Sequence, residues 1–360
     1  MMKPIVADTY SVHFNEEGYV KLNQHLKSLK PSIIFLLVDT NTHEYCLPRF
    51  LSKIETEVPI EIIEIEDGEE NKTIDTCVGV WNALAELNAD RKSLLINLGG
   101  GVVTDLGGFV ACTFKRGLPY VNVPTTLLSM VDASVGGKTG VDLGTLKNQV
   151  GVISNGDMVL VDTEFLMTLP QLEMRSGLSE MLKHGLIKDR NYWNSCKSLQ
   201  DLSPDSLNLP IRESIEIKFD VVTQDPNERG LRKMLNFGHT LGHAIESYFL
   251  KNENKLSLLH GEAIAIGMIL ESYLSHRLNH LSEEDLMDIV AVLNKQYDSV
   301  SFNPTDIDII INLLKHDKKN EHGKILFALL ERLGEIKLDC LVENSLILES
   351  FDFFEKVKTK

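Results

Sequence analysis

Basic residues are scarce in this chain. Its 360 residues include 36 lysines and arginines against 52 aspartates and glutamates, a formal net charge of −16 with neutral histidines. A general grip on phosphate backbones would work against that field, so nucleic acid is excluded as a broad partner. Cysteine is scarcer still. The five present, Cys46, Cys77, Cys112, Cys196 and Cys340, are scattered without a CxxC or comparable spacing. That pattern reads as free thiols packed in the interior, in a reducing compartment. No apolar run approaches the length of a membrane span: the longest, such as Ile33 to Val38, stop after a few residues. The opening MMKPIVADTY lacks the apolar stretch of a secretory signal, so a soluble, cytoplasmic protein with no membrane partner is expected. Repeats and low-complexity tracts are missing too. What remains, 43% hydrophobic and 24% charged residues, excludes disorder and suits a chain of two domains.

The first half alternates short β-branched runs with amphipathic stretches. Ile33 to Val38, Ile60 to Ile65 and Ser93 to Leu98 are compact apolar runs, and Asp75 to Leu87 between two of them repeats at helical spacing. This predicts a parallel sheet with crossover helices. From Gly99 to Gly151 glycines crowd a segment that also carries Asp105, Asp132 and Lys138, the texture of loops that approach a ligand closely. One more strand-like run, Val159 to Asp162, precedes a long region of three- and four-residue apolar spacing with few strand signals before Ile325 to Leu330. The second half is predicted to be helical, with the boundary between Leu169 and Ser176.

Three constellations carry chemistry, and each departs from a familiar motif. In LINLGGGVVTDLGG an apolar strand runs into Gly99, Gly100 and Gly101, whose amides could cradle a pyrophosphate at a helix start, yet Thr104 stands where GxGxxG needs its third glycine. Tight structural turns are the alternative. Asp39, after the strand IIFLLV, could accept hydrogen bonds from a ribose or simply cap a helix. In NFGHTLGHAIES, His239 and His243 are one helical turn apart and His260 follows in LLHGE, but HTLGH lacks the glutamate of HExxH, so a zinc protease is excluded. Three histidines so close in a chain of only eleven, with Glu180 in LSEMLKH as a carboxylate, suit a zinc-like ion, while solvated helices also produce HxxxH pairs by chance. The third set comprises Arg116, Lys138, Lys147 with Asn148, Lys183, Lys218, and Arg232 with Asn236. Cations in glycine-rich or apolar contexts of so acidic a chain point to a focused anion site. Lys138 is no P-loop lysine, since Asp132 occupies the position of the required glycine.

GGGVVTDLGGF, VPTTLLSMVDASVGGKTGVD, LKNQVG, SEMLKHGLI, ERGLRKMLNFGHTLGHAIE and LLHGEAIAIGM occur in order over nearly the whole chain. Together these six blocks resemble the 3-dehydroquinate synthase family of sugar phosphate cyclases. The resemblance implies an α/β N-terminal Rossmann-like domain that binds NAD, residues 1–172, and an all-α C-terminal domain that binds metal and substrate, residues 173–360. It also implies a site in the cleft between them, one divalent zinc or cobalt ion and a homodimer. Carried over by motif, the implied metal ligands are Glu180, His239 and His260, with His243 contacting the substrate phosphate instead. Lys138, Asn148, Asn236 and a lysine of HDKKN, Lys319 in preference to Lys318, would share that phosphate, and Arg116 would reach it from the partner subunit. Asp132, Lys183, Lys218, Glu228 and Arg232 match positions that hold the hydroxyls and carboxylate of the substrate. The positions matching the NAD site are Asp39, Asn41, Glu69, Lys72, Gly100, Gly101, Asp105, Thr125, Thr126, Lys138, Lys147, Thr168 and Glu173.

The implied reaction converts 3-deoxy-D-arabino-heptulosonate 7-phosphate to 3-dehydroquinate and phosphate, with NAD recycled within each turnover. Arg232 and Lys218 together suit a substrate carboxylate, which favours this reaction over that of a cyclase acting on glucose 6-phosphate. A polyol dehydrogenase of the same fold would not need the phosphate cluster, and a non-catalytic binding protein would have lost some of these residues. One departure is the segment SYFLKNENKLSLL between His243 and His260, several residues longer than is usual for the family. A surface loop absorbs such an insertion cheaply, so both flanking histidines are expected to keep their places.

Overall fold

The computed structural model describes residues 2–7, 10–144, 146–252, 255–298, 300–314 and 325–358. The chain divides into two compact units: residues 1–170 with 201–219, and residues 171–200 with 220–360.

The first unit is built on a seven-stranded sheet. In chain order its elements are β1 (Ile5–Val6), β2 (Ser11–Phe14), α1 (Asn15–Leu29), β3 (Ile34–Asp39), α2 (Thr40–Tyr45), α3 (Leu47–Leu51), β4 (Ile60–Ile65), α4 (Ile74–Glu86), β5 (Leu94–Gly99), α5 (Gly101–Thr113), β6 (Tyr120–Pro124), β7 (Lys138–Leu143), β8 (Leu146–Ile153) and β9 (Met158–Val161). The sheet order is β1-β2-β9-β6-β5-β3-β4, parallel throughout except for the short β1–β2 pair. β3 and β5 are interior strands, and both are almost wholly apolar because helices cover both faces of a parallel sheet. Phe35, Leu37 and Leu95 meet Val103, Leu106 and Val110 of α5 in one core cluster, which also takes in Cys77. All five cysteines are free, and all but Cys112 are fully buried.

The glycine-rich segment is a loop only in part. β7 and β8 pair as an antiparallel hairpin in which Gly140 faces Gly151. α4 starts where the side chain of Thr73 accepts the amide of Thr76. Nothing equivalent caps α5: its N-cap is Gly100, which has no side chain to offer, so the first turn presents its backbone amides bare.

Among the described residues the second unit is helical apart from one β-hairpin. Its elements are α6 (Gln171–Lys188), α7 (Arg190–Lys197), α8 (Pro204–Gln224), whose larger part groups with the first unit, α9 (His239–Lys251), α10 (His260–Asn279), α11 (Glu283–Gln296), α12 (Pro304–Leu314), β10 (Leu326–Arg332), β11 (Glu335–Leu341) and α13 (Asn344–Val357). The strand-like run near Ile325 becomes β10, paired antiparallel with β11. α10 is the hub, packed against α6, α9, α11, α13 and β10. Its sequence, apolar nearly all round, is what a fully enclosed helix requires. α9 and α10 approach so closely that glycine is needed along the contact: a Cβ at Gly242 would lie 2.8 Å from Ile264 Cδ1, and one at Gly267 would lie 2.8 Å from the Gly242 amide. Among the described residues no helix is long and apolar enough to cross a membrane.

Candidate active site

The metal candidates lie in the helical unit, placed by three helices. α9 begins at His239 and carries His243 one turn on, and α10 begins at His260. The close contact of α9 and α10 brings the three rings together, with centroids 5.0 Å apart for His239 and His243, 5.5 Å for His239 and His260, and 5.6 Å for His243 and His260. One nitrogen from each ring can be chosen so that all three lie within 4.8 Å of one another. α6 supplies Glu180, with no solvent exposure, whose Oε1 is 3.5 Å from His239 Nε2. Lys183, one turn further along α6 and equally buried, forms an ion pair with the same carboxylate. Beyond that ion pair, neither oxygen of Glu180 makes a hydrogen bond among the described residues. A buried carboxylate that has one ion-pair partner and faces the His239 imidazole fits the oxygen and nitrogen set of a zinc-like ion. The geometry gathers the three histidines, His243 as fully as the other two, and sets Glu180 beside His239.

The helical unit also carries substrate candidates, and one cofactor candidate in Glu173. Glu228, in a left-handed backbone conformation at φ 55°, accepts the side-chain amide of Asn236 at 3.1 Å. Arg232 is 2% exposed, its guanidinium donating to the carbonyl of Pro226 at 2.9 Å and its backbone amide to Asp225 at 3.1 Å. Glu173, in the first turn of α6, has its carboxyl pushed up by burial and by the neighbouring Glu262. Lys319 and Lys318 lie outside the described residues.

In the α/β unit, Asp39 ends β3 and caps α2. Its Oδ1 accepts the Thr42 amide at 2.7 Å and the Thr42 hydroxyl at 2.9 Å, while Thr42 answers the Asp39 amide. The capping role weighed from sequence is therefore real, and it occupies one of the two carboxylate oxygens. Asn41 donates to Asp67 at 2.8 Å, and Glu69 pairs with Lys147 at 3.6 Å. At the β5–α5 turn a Cβ on Gly100 would meet Thr126 at 3.0 Å, and Thr125 donates its amide to Gly99 at 3.0 Å. Thr168 ends a short 3-10 helix, its hydroxyl bonded to the Phe165 carbonyl at 3.1 Å.

One contact links residues assigned separately by sequence. Lys72 Nζ donates to Asp105 at 2.7 Å and to the Asn148 side-chain oxygen at 2.7 Å, so a cofactor candidate and a phosphate candidate share one buried cation. Burial alone would lower the Lys72 pKa, but the charges of Asp105, Glu69 and Asp142 outweigh it and hold the ammonium well above its ordinary value. Asp132 is held in the same unit by Lys218 of α8, whose Nζ reaches both its Oδ1 at 2.6 Å and its backbone oxygen at 2.5 Å. Lys138 opens β7 with its side chain exposed. Arg116 sits in an exposed turn whose left-handed residues run from Lys115 to Gly117, and it bonds to no other candidate among the described residues.

Two acids escaped the sequence reading. Glu246, 5% exposed on α9, places Oε2 3.4 Å from His260 Nδ1. The signal was present in HTLGHAIE, where positions 239, 243 and 246 share one helical stripe. Glu271, buried in α10, accepts backbone amides of Gly238 at 2.6 Å and Leu241 at 3.0 Å. A lone acid inside the apolar run IAIGMILESYL was its signal.

Comparison with known proteins adds the following. The family model for the 3-dehydroquinate synthase N-terminal region matches residues 62–176, and that for the C-terminal region matches residues 177–320. A 3-dehydroquinate synthase from Parabacteroides distasonis is 42% identical over 339 residues, 93% of this chain and 95% of the relative. Among solved structures, 2-deoxy-scyllo-inosose synthase complexed with carbaglucose-6-phosphate, NAD+ and Co2+ superposes with a TM-score of 0.85 at 26% identity, covering 98% of this chain and 99% of that one. A 2-epi-5-epi-valiolone synthase from Streptomyces hygroscopicus subsp. jinggangensis with NAD+ and Zn2+ bound gives 0.82 at 25% identity, covering 99% of both chains.

Proposed function

The chain belongs to the 3-dehydroquinate synthase family, and from that premise we infer that it converts 3-deoxy-D-arabino-heptulosonate 7-phosphate into 3-dehydroquinate and inorganic phosphate, using NAD and one divalent metal ion. This is a lyase of the shikimate pathway. The observation that carries the reading beyond family membership is the convergence of His239, His243 and His260, with Glu180 against His239, in the helical unit. The 2-deoxy-scyllo-inosose synthase likeness, at 26% identity against 42%, is the weaker of the two matches.

We assign Glu180, His239 and His260 as the metal ligands, zinc or cobalt being the ions that suit one carboxylate and two imidazoles. Asp39, Asn41, Glu69, Lys72, the Gly100–Gly101 turn, Asp105, Thr125, Thr126, Lys147, Thr168 and Glu173 are assigned to NAD, with the bare amides at the start of α5 receiving its pyrophosphate. When bound, NAD supplies a reversible hydride acceptor and the ion supplies Lewis acidity toward the alcohol that is oxidised.

The remaining work falls to side chains. The substrate undergoes oxidation, loss of phosphate, reduction and an intramolecular aldol closure, so it must be held by both ends while its centre changes. Lys138, Asn148, Asn236 and His243 are assigned to the phosphate, together with Lys319 and with Arg116 contributed by a second copy of the chain. Lys183, Lys218 and Arg232 are assigned to the carboxylate and hydroxyls along with Asp132 and Glu228. Charge-assisted hydrogen bonds from such cations contribute about 1.5–3 kcal/mol each, enough together to fix a flexible sugar acid in a reactive pose. Lys183, Lys218 and Arg232 are at most 5% exposed, so their charges are poorly screened by water. In this reading residues 1–172 form the NAD-binding domain and residues 173–360 the metal- and substrate-binding domain, with Lys218 carried to the former on the 201–219 stretch. The working form is a homodimer in the cytoplasm.

The deciding experiment supplies the sugar-acid phosphate with limiting NAD and metal. Phosphate released in excess of total NAD, with no lasting absorbance from NADH, is the expected result. Stoichiometric NADH without phosphate would instead establish a polyol dehydrogenase.

A further inference from the structure

The imidazoles of His239 and His260 are each held from behind. His239 Nδ1 lies 3.2 Å from the backbone oxygen of Phe237. A carbonyl only accepts, so that nitrogen carries the proton and Nε2, the atom facing Glu180, presents its lone pair. His260 repeats the arrangement with a side chain: its Nδ1 is 3.4 Å from Glu246 Oε2. Glu246 reaches there from α9, three residues beyond His243, and is buried at 5% exposure where an acid without a role is costly.

We propose that Glu246 is a positioning residue that accepts the Nδ1 proton of His260, fixing the tautomer and ring plane in which Nε2 is presented to the metal. The proposal rests on the assignment of His260 as a ligand. A carboxylate behind a ligating histidine orients the ring and raises its basicity, and loss of such a partner costs about 10–100-fold in metal affinity. His239 is held by a backbone carbonyl, which substitution cannot remove, whereas at Glu246 this device can be tested by changing a side chain.

The test compares wild type with Glu246→Met, which keeps the bulk and removes the acceptor, and Glu246→Gln, which keeps an accepting oxygen and removes the charge. Co2+ affinity is measured by chelator competition and the Co2+ visible spectrum is recorded, alongside NAD affinity and the thermal midpoint of metal-free protein. The expected result is about 10–100-fold weaker Co2+ binding for Glu246→Met, a smaller loss for Glu246→Gln and an altered spectrum in both. NAD affinity and the metal-free midpoint stay unchanged, whereas a merely structural role would move them together with the metal. Wild-type Co2+ affinity in both variants overturns the proposal, and if Glu246→Met does not fold, wild-type affinity in Glu246→Gln alone does so. His260→Ala separates the two levels: Co2+ binding that survives it overturns the ligand assignment itself.

Discussion

The carboxylate of Glu271, deep in α10, accepts the backbone amide of Gly238 at 2.6 Å, immediately before the histidine that opens α9. Its other oxygen takes the Leu241 amide at 3.0 Å, so the acid serves as the cap that Gly238 cannot provide and places negative charge at the positive end of the α9 dipole. Replacing it with glutamine turns one acceptor into a donor facing a backbone amide. Glu271→Gln is expected to lower unfolding free energy by about 2 kcal/mol, read as a drop in denaturation midpoint at constant slope. Co2+ affinity should fall with it, because His239 rides on the same helix turn.

Ligand identity can be read from affinity. Glu180→Gln, His239→Ala and His260→Ala are each expected to weaken Co2+ binding by more than about 100-fold, beyond the cost of losing an outer partner. His243→Ala, whose ring stands equally close, is expected to change it by less than about tenfold while weakening inorganic phosphate binding. Titration of the four metal-free variants checks both statements.

Lys72 holds Asp105 and Asn148 at once. Lys72→Met is expected to destabilise the protein by about 2 kcal/mol, less than the 3–5 kcal/mol typical of breaking a fully buried pair, because Asp105 keeps 18% side-chain exposure. NAD affinity should fall as well. The double variant Lys72→Met/Asp105→Asn should recover part of the stability, since the uncompensated charge is gone; urea unfolding measures the difference.

The longer segment before His260 is tied down through Asp306, which receives Lys255 at 2.5 Å and the Tyr248 hydroxyl at 2.6 Å. Burial alone would raise this carboxyl, but the bonds from Lys255 and Tyr248 outweigh it and hold its pKa below the ordinary value. A depressed folded pKa stabilises the native state above the unfolded value, and that contribution is lost as pH falls through the folded one. Asp306→Asn is therefore expected to cost about 1 kcal/mol at neutral pH, discounted for the partly exposed lysine. The gap between wild type and variant should begin to narrow as the pH drops beneath about 4 and close below the lower folded pKa, as thermal melts across pH would record.

What the sequence made legible follows from which forces are local. β3, β4, β5 and β9 lie within a residue or so of the runs that announced them; β3, β5 and β9 are buried on both faces and so nearly all apolar, while β4, at the sheet edge, keeps Glu61 and Glu64. β8 alternates without a clear apolar face, and its partner β7 is interrupted by Gly140; they are strands because they pair with each other, which a loop-like composition conceals. Spacing along a helix exposed His239 with His243. The contacts of Lys72 with Asn148 and of Glu271 with Gly238 join residues far apart in the chain, and no periodicity reports them.

The glycine seam between α9 and α10 limits how this enzyme can be altered. A side chain at Gly267, whose Cβ would collide with the Gly238 carbonyl oxygen, would wedge the two helices apart and shift His239 relative to His260, while one at Gly242 would first displace the tip of Ile264. Substitutions meant to change what the enzyme accepts are therefore tolerated better at positions away from this seam than along it.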